Sequence, residues 1–213
     1  CLRYMLNRAV MLDLIPSNPY GRLRGRFGRG EMENMEFLSD EEVEAVRKVE
    51  LRKGSLPDKA RDLFVFQLYT GLSYADTQTF DFSRYKEVDG TWRIVGNRVK
   101  TGEPFVNQLL PPAVEVLERN GMETPKLSNQ VYNRELKEIG RKAGLACRLH
   151  SHLARHTFAT WMLRNGVKVE NLSKMLGHTN ISRTMRYAKV VAESVHRDFE
   201  MVADKMKKAD ATS

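Results

Sequence analysis

Four side chains of kinds that handle phosphate fall within 36 residues of this 213-residue chain: His152, Arg155, His178 and Tyr187. An arginine fork can hold two non-bridging oxygens of a phosphodiester. A histidine can donate a hydrogen bond or move a proton. A tyrosine oxygen can attack phosphorus if its phenol, with an ordinary pKa of about 10, is helped to ionise. A cationic pocket of Arg155, His152 and His178 would supply that help and stabilise a pentavalent phosphorane. His152 and Arg155, three apart, share a face at the start of a helix, where free N–H groups and the positive dipole end favour a phosphate. Taken singly these signals are weak. A His-x-x-Arg pair recurs in many helices, His152 alone reads as a cap or surface residue, and Tyr187 alone as a core tyrosine satisfied by Arg186 or water. Together they point to phosphodiester cleavage by a phenol.

The elements that must position these residues read as mainly α with one small antiparallel sheet. An amphipathic helix over 3–15 carries Leu6, Val10 and Leu14 on one face and ends at Pro16, Asn18-Pro19 and Gly21. The arginine- and glycine-rich stretch 21–30 has little to bury and reads as a linker. Ser39 and Glu42 form a capping box, with Leu38 and Val43 at hydrophobic-staple positions, and the helix they start runs to about Gly54. A second helix over 57–70 carries Phe64, Val65 and Leu68 on one side and Gly71 just past its end. Strands follow at 85–88, 92–95 and 105–109, with Asp89-Gly90 as a hairpin turn. Residues 97–100 are expected to pair with 105–109 through Thr101-Gly102-Glu103-Pro104. Helices are expected at 112–120, 128–143, 153–165, 169–176 and about 190–208. Gly177 then closes a short helix, with His178 in the loop beyond.

Composition is that of a globular protein with one good core or two small ones, 41% hydrophobic and 29% charged. No run of eighteen apolar residues is present to span a membrane. Cys1 and Cys147 cannot build a disulfide framework, which points to a reducing, cytoplasmic setting. The start, Cys1-Leu2-Arg3-Tyr4, has neither an initiator Met nor a signal-peptide pattern and reads as a cut from a longer chain. Net charge is +8 and unevenly spread. Residues 1–30 hold six arginines against Asp13, and 126–155 hold seven basic residues against two acidic, whereas 31–50 holds eight acids with Arg47 and Lys48. Basic surface is thus segregated, as a polyanion-binding face requires, although a solvated basic face would also show it.

Together these segments resemble the tyrosine recombinases, the phage-integrase family, over most of 36–195. His152-x-x-Arg155-His156-Thr157-Phe158-Ala159-Thr160 matches one family box, and Leu176-Gly177-His178-Thr179-Asn180-Ile181 another, with Tyr187 at the nucleophile's distance. The resemblance implies the family's catalytic-domain fold at 31–195. Residues 1–30 would be the end of a truncated core-binding domain plus linker, and 196–213 a C-terminal helical tail. It implies Tyr187 as nucleophile forming a 3′-phosphotyrosyl bond, with His152, Arg155 and His178 around the phosphate. Val99-Lys100-Thr101-Gly102 fits the family's hairpin lysine, which makes Lys100 the implied general acid to the 5′-oxygen. Family members use no metal or other cofactor, in keeping with the lack of a Cys/His or acidic ligand cluster. The implied partners are double-stranded DNA, a synaptic tetramer working through a Holliday junction, and accessory DNA-bending or directionality factors. The implied setting is the cytoplasm, in association with the nucleoid.

One departure is serious. The family's first arginine follows Thr-Gly-Leu, usually with an acid three residues on; here stand Thr70-Gly71-Leu72-Ser73 and Asp76. Losing one charge-assisted phosphate contact costs roughly 3–4 kcal/mol in the transition state. Arg61, on the apolar side of its helix, is the candidate substitute, against the alternative of a snorkelling side chain. The reading is integration for a mobile element. Alternatives are a chromosome-dimer resolvase, a DNA invertase, a type IB topoisomerase, or a catalytically silent DNA-binding protein of the same fold. Beyond Tyr187, Val191, Val195, Phe199, Val202 and Met206 form a helical stripe, packed on its own core or docked on a neighbouring protomer.

Overall fold

The structure, a computed structural model, describes residues 2–19, 35–97 and 102–192. The readings placed on Lys100, on 21–30 and on the tail beyond 192 therefore lie outside the described residues. The chain divides into two units, Cys1–Met35 and Glu36–Ser213. In the first, α1 spans Leu2–Met11. It stops short of the expected residue 15 because Asp13 takes a left-handed φ of 53°, while Leu14 N–H turns back to the Ala9 carbonyl at 2.9 Å.

The second unit runs α2 (Asp40–Lys48), α3 (Leu56–Thr70), α4 (Tyr74–Gln78), β1 (Lys86–Val88), β2 (Thr91–Asn97), β3 (Pro104–Gln108), α5 (Pro111–Arg119), α6 (Asn129–Lys142), α7 (Ser151–Arg164) and α8 (Val169–Leu176). A last helix, α9, occupies 182–192. The architecture is the expected one, mainly helical with a three-stranded antiparallel sheet in the order β1-β2-β3. Among the described residues no helix is long and apolar enough to cross a membrane.

The spine is α3. Ser55 caps its first turn, Pro57 fits the start where no N–H is needed, and Gly71 ends it in the left-handed region. Leu63, Phe64 and Phe66 are fully buried, because α3 stands between two cores. On one side it packs with α2, α6 and α7 through Val46, Tyr132, Ile139 and Leu153. On the other it packs with the sheet and α5 through Tyr85, Ile94, Phe105 and Leu117. The expected capping box holds: Ser39 N–H donates to Glu42 Oε2 at 2.8 Å and Glu42 N–H to Ser39 Oγ at 3.2 Å.

Four local readings are corrected. First, α2 ends at Lys48 rather than near Gly54. Segment 49–55 folds back to support α3, with the Val49 carbonyl accepting from Arg61 at 2.9 Å and Gly54 N–H donating to Asp58 Oδ2 at 2.8 Å. Second, β2 is one strand from Thr91 to Asn97 that itself pairs with β3, from Arg93 opposite Gln108 to Asn97 opposite Pro104. Of the stretch 97–100 expected to pair with 105–109, Asn97 stands opposite Pro104 and 98–100 lie outside the described residues. Third, α4 was not expected; Ser73 starts it with a capping box to Asp76. Fourth, α9 begins at 182 rather than about 190. Asn180 Oδ1 accepts from Ser182 N–H at 2.8 Å, and the Ile181 carbonyl accepts from Thr184 at 2.8 Å and Met185 at 2.9 Å. Tyr187 is thereby carried on a helix.

Candidate active site

Arg155 joins the ends of two helices. Its Nη1 donates to the Gly71 carbonyl at the end of α3, at 2.8 Å, and its Nη2 to the Leu176 carbonyl at the end of α8, at 2.6 Å. The last carbonyls of a helix lack partners within it and sit at the negative end of its dipole, so a cation between two such ends is held by both. A guanidinium carries five N–H donors in a rigid plane, and anchoring two fixes the direction of the others.

The turn that receives Arg155 is itself held. Gly71 has φ +64°, and a Cβ added there would lie 2.4 Å from Phe158 Cδ1, so any side chain is excluded both by conformation and by space. The neighbouring carbonyls are taken as well. Asn107 Nδ2, from β3, donates to the Thr70 carbonyl at 2.6 Å. Gln67 Nε2 donates to the Leu72 carbonyl at 3.1 Å, and its Oε1 accepts from the buried Tyr132 hydroxyl at 2.6 Å. Three successive carbonyls are thus held by side chains from β3, α7 and α3.

Gly177, left-handed as expected, ends α8 and turns the chain to His178. The Nδ1 of His178 is 2.8 Å from Thr184 Oγ1 on α9. One helical turn on, Tyr187 lies parallel to His178, with centroids 6.5 Å apart and planes within 6°. His156 stands against the phenol ring from α7, at 5.7 Å and 64°, and His152 lies 6.4 Å beyond His156. Tyr187 is 5% exposed. Burial pushes its phenol above the usual range, while Arg155 and Arg186 pull the other way. Burial, and then His152, His150, Arg155 and Arg186, lower the His156 imidazole to about 4, so it is neutral at pH 7.

His152, Arg155, His178 and Tyr187 are therefore gathered into one neighbourhood. His152 is exposed on the first turn of α7, and His156 rather than His152 meets Tyr187. His156 lies within the first motif, which assigns it no role. Its signal was its spacing, four residues after His152 and so on the same helical face. Thr184, the partner of His178, was also missed. Lys100 lies outside the described residues, between the paired flanks Asn97 and Pro104.

The Arg61 expectation is overturned. Arg61 Nη1 donates to the Val49 carbonyl at 2.9 Å, and Nη2 pairs with Asp58 at 2.5 Å and with Asp62 at 3.8 Å. Ten residues of α3, about 15 Å at the helical rise, separate it from Gly71. At Ser73 the frame position is occupied by a helix cap, with Ser73 Oγ donating to Asp76 Oδ2 at 2.6 Å. Among the described residues, no three His, Cys, Asp or Glu side chains are grouped to hold a metal.

The sequence matches the phage integrase family over residues 36–194. It is 31% identical over 180 residues to the tyrosine recombinase XerA of Pyrococcus furiosus, covering 76% of this chain and 60% of that one. It is 41% identical over 76 residues to the tyrosine recombinase XerD of Brucella abortus, covering 35% of this chain and 25% of that one. The chain thus spans only part of these relatives. In fold it is similar to the Tn1549 transposon integrase solved with circular intermediate DNA, with a TM-score of 0.66 and 14% identity over 87% of this chain and 73% of that one.

Proposed function

The chain belongs to the phage integrase family, and on that footing we propose that it breaks and rejoins DNA strands with Tyr187 as the nucleophile. One observation carries the reading: a buried tyrosine set against two imidazoles, beside an arginine whose plane is fixed by two helix ends. In this reaction the Tyr187 phenol gives its proton to water and its oxygen forms the bond to phosphorus as the bond from phosphorus to the 5′-oxygen breaks. The 5′-oxygen leaves with a proton from Lys100, and a 3′-phosphotyrosyl link conserves the bond energy for rejoining. Arg155 holds a non-bridging oxygen. His178, with Nδ1 engaged by Thr184, meets the phosphate through Nε2, and His152 contributes from the helix start. Desolvation that raises the phenol pKa is offset when a cationic pocket stabilises the phenolate.

The substrate is double-stranded DNA, and the working assembly a tetramer of full-length protomers that exchanges strands in pairs through a Holliday junction, with accessory bending factors, in the cytoplasm. Deleting 192–213 is expected to harm synapsis more than single-strand cleavage.

Ser73 favours a second reading, a silent DNA-binding protein, because its hydroxyl serves a cap where the family pattern has a cation. The two separate on nicked suicide duplexes randomised in sequence around the nick. The recombinase reading expects a covalent adduct that disappears in Tyr187→Phe. Binding of the pool without any adduct from the unaltered protein would leave the silent reading in its place.

A further inference from the structure

The nucleophile's ring has two neighbours of the same chemical kind, and only one of them has been given work. His178 lies parallel to Tyr187 and is tied through Nδ1 to Thr184, three residues before Tyr187 on the same helix. His156 comes from a different helix and meets the phenol ring at 64°, with centroids 5.7 Å apart. A phenol between one parallel and one tilted ring cannot turn about its own axis without losing a contact, since aromatic pairs are favoured in offset or edge geometries at such separations.

The platform under His156 is rigid on both sides. The residue before it, Arg155, is bolted to the Gly71 and Leu176 carbonyls. The residue after it, Thr157, donates to the Leu153 carbonyl at 2.8 Å and accepts from Leu38 N–H at 3.0 Å. Its own carbonyl accepts from Thr160 Oγ1 at 2.9 Å. A side chain whose flanking residues are fixed to three other segments has little freedom to follow Tyr187, so Tyr187 must conform to it.

We propose that His156 is the positioning residue for the nucleophile: its ring fixes the rotation of the Tyr187 phenol, so that the oxygen meets phosphorus along one line. The inference rests on the strand-breaking reading of Tyr187. His156 acts as an uncharged wall and carries no proton in the reaction. The groups facing it are His150 and His152 from the start of α7, Arg155 beside it, and Arg186 and Tyr187 from α9. Burial, with the positive charge of Arg155 and Arg186 beside it, holds the ring neutral across the working range. A charged ring there would pair with the phenolate and compete with the groups that hold the phosphate.

The test uses the full chain with fluorotyrosine in place of tyrosine, the Tyr187 fluorine signal being the one lost in Tyr187→Phe. Removing the ring in His156→Ala or His156→Gln should shift and broaden that signal. It should also slow adduct formation on the randomised nicked duplexes by between about tenfold and a hundredfold, the cost of misaligned reacting atoms. DNA retention on filters should stay unchanged. His156→Phe, which restores a ring without a lone pair, should recover most of the signal and rate, with a pH profile of unaltered shape. Three results would overturn the proposal: His156→Gln reacting as fast as the unaltered protein, His156→Phe losing a limb of the pH profile, or His156→Ala leaving the fluorine signal in place. A variant of lowered stability still reports through the fluorine signal of its folded fraction. If the unaltered protein forms no adduct, the strand-breaking reading fails, and the fluorine arm still decides whether His156 orders the ring.

Discussion

Single atoms decide much of this site. Gly71 takes a positive φ, and a methyl group on it would press on the Phe158 ring at 2.4 Å. Gly71→Ala is therefore expected to cost about 2–4 kcal/mol from backbone strain and overpacking together, read as a lower urea midpoint. Position 156 makes a prediction in pH. Its imidazole titrates at about 4 in the folded chain, against about 6.5 when unfolded. The unfolded state then binds more protons between those values, so stability is fully present above about 6.5 and falls as the pH drops toward 4, by up to about 3 kcal/mol. His156→Phe should flatten this stretch of the stability–pH curve, measured by denaturant melts at stepped pH. An equal slope in both proteins would show that other groups carry the dependence.

At the scale of elements, the helices that carry the chemistry are locked together by side chains reaching for carbonyls. Asn107 crosses from β3 to the end of α3, so the strand leading out of the Lys100 hairpin and the turn seating Arg155 share one buried bond. Asn107→Ala should lower stability by about 1–3 kcal/mol, the cost of an unsatisfied buried carbonyl. It should also slow adduct formation without weakening DNA retention, if the turn orients Arg155 as argued. Local signals made much of this scale legible. The Ser39–Glu42 box, the glycines at 71 and 177, and the Asp89-Gly90 turn, with φ values of 51° and 70°, were all readable. Bonds between elements left no such trace. Arg61 looked like an unclaimed cation because its partners Val49, Asp58 and Asp62 become neighbours only when 49–55 folds back. The start of α9 was missed because it depends on one Asn180 cap rather than on apolar periodicity. The site was half legible: motif spacing gathered His152, Arg155, His178 and Tyr187, while the role of His156 needed the crossing of α7 and α9.

For the whole molecule, uneven charge is the dominant fact. With 35 basic residues against 27 acidic, and the acids concentrated in 31–50, DNA binding is expected to fall linearly in log–log form with salt, steeply when many phosphates are neutralised. Filter retention of the randomised duplexes across a salt series measures it; tight binding independent of salt would contradict a polyanion-binding face. Arg155 also limits how this protein can be silenced. Because that side chain ties α3 to α8, Arg155→Ala would strip two helix-end carbonyls of their donor along with any phosphate contact, so lost activity there would not separate a missing contact from a loosened scaffold. Deleting the phenolic oxygen alone, in Tyr187→Phe, leaves both rings that face it their partner. At position 187 the reaction can be switched off with the scaffold intact; at position 155 the two fail together.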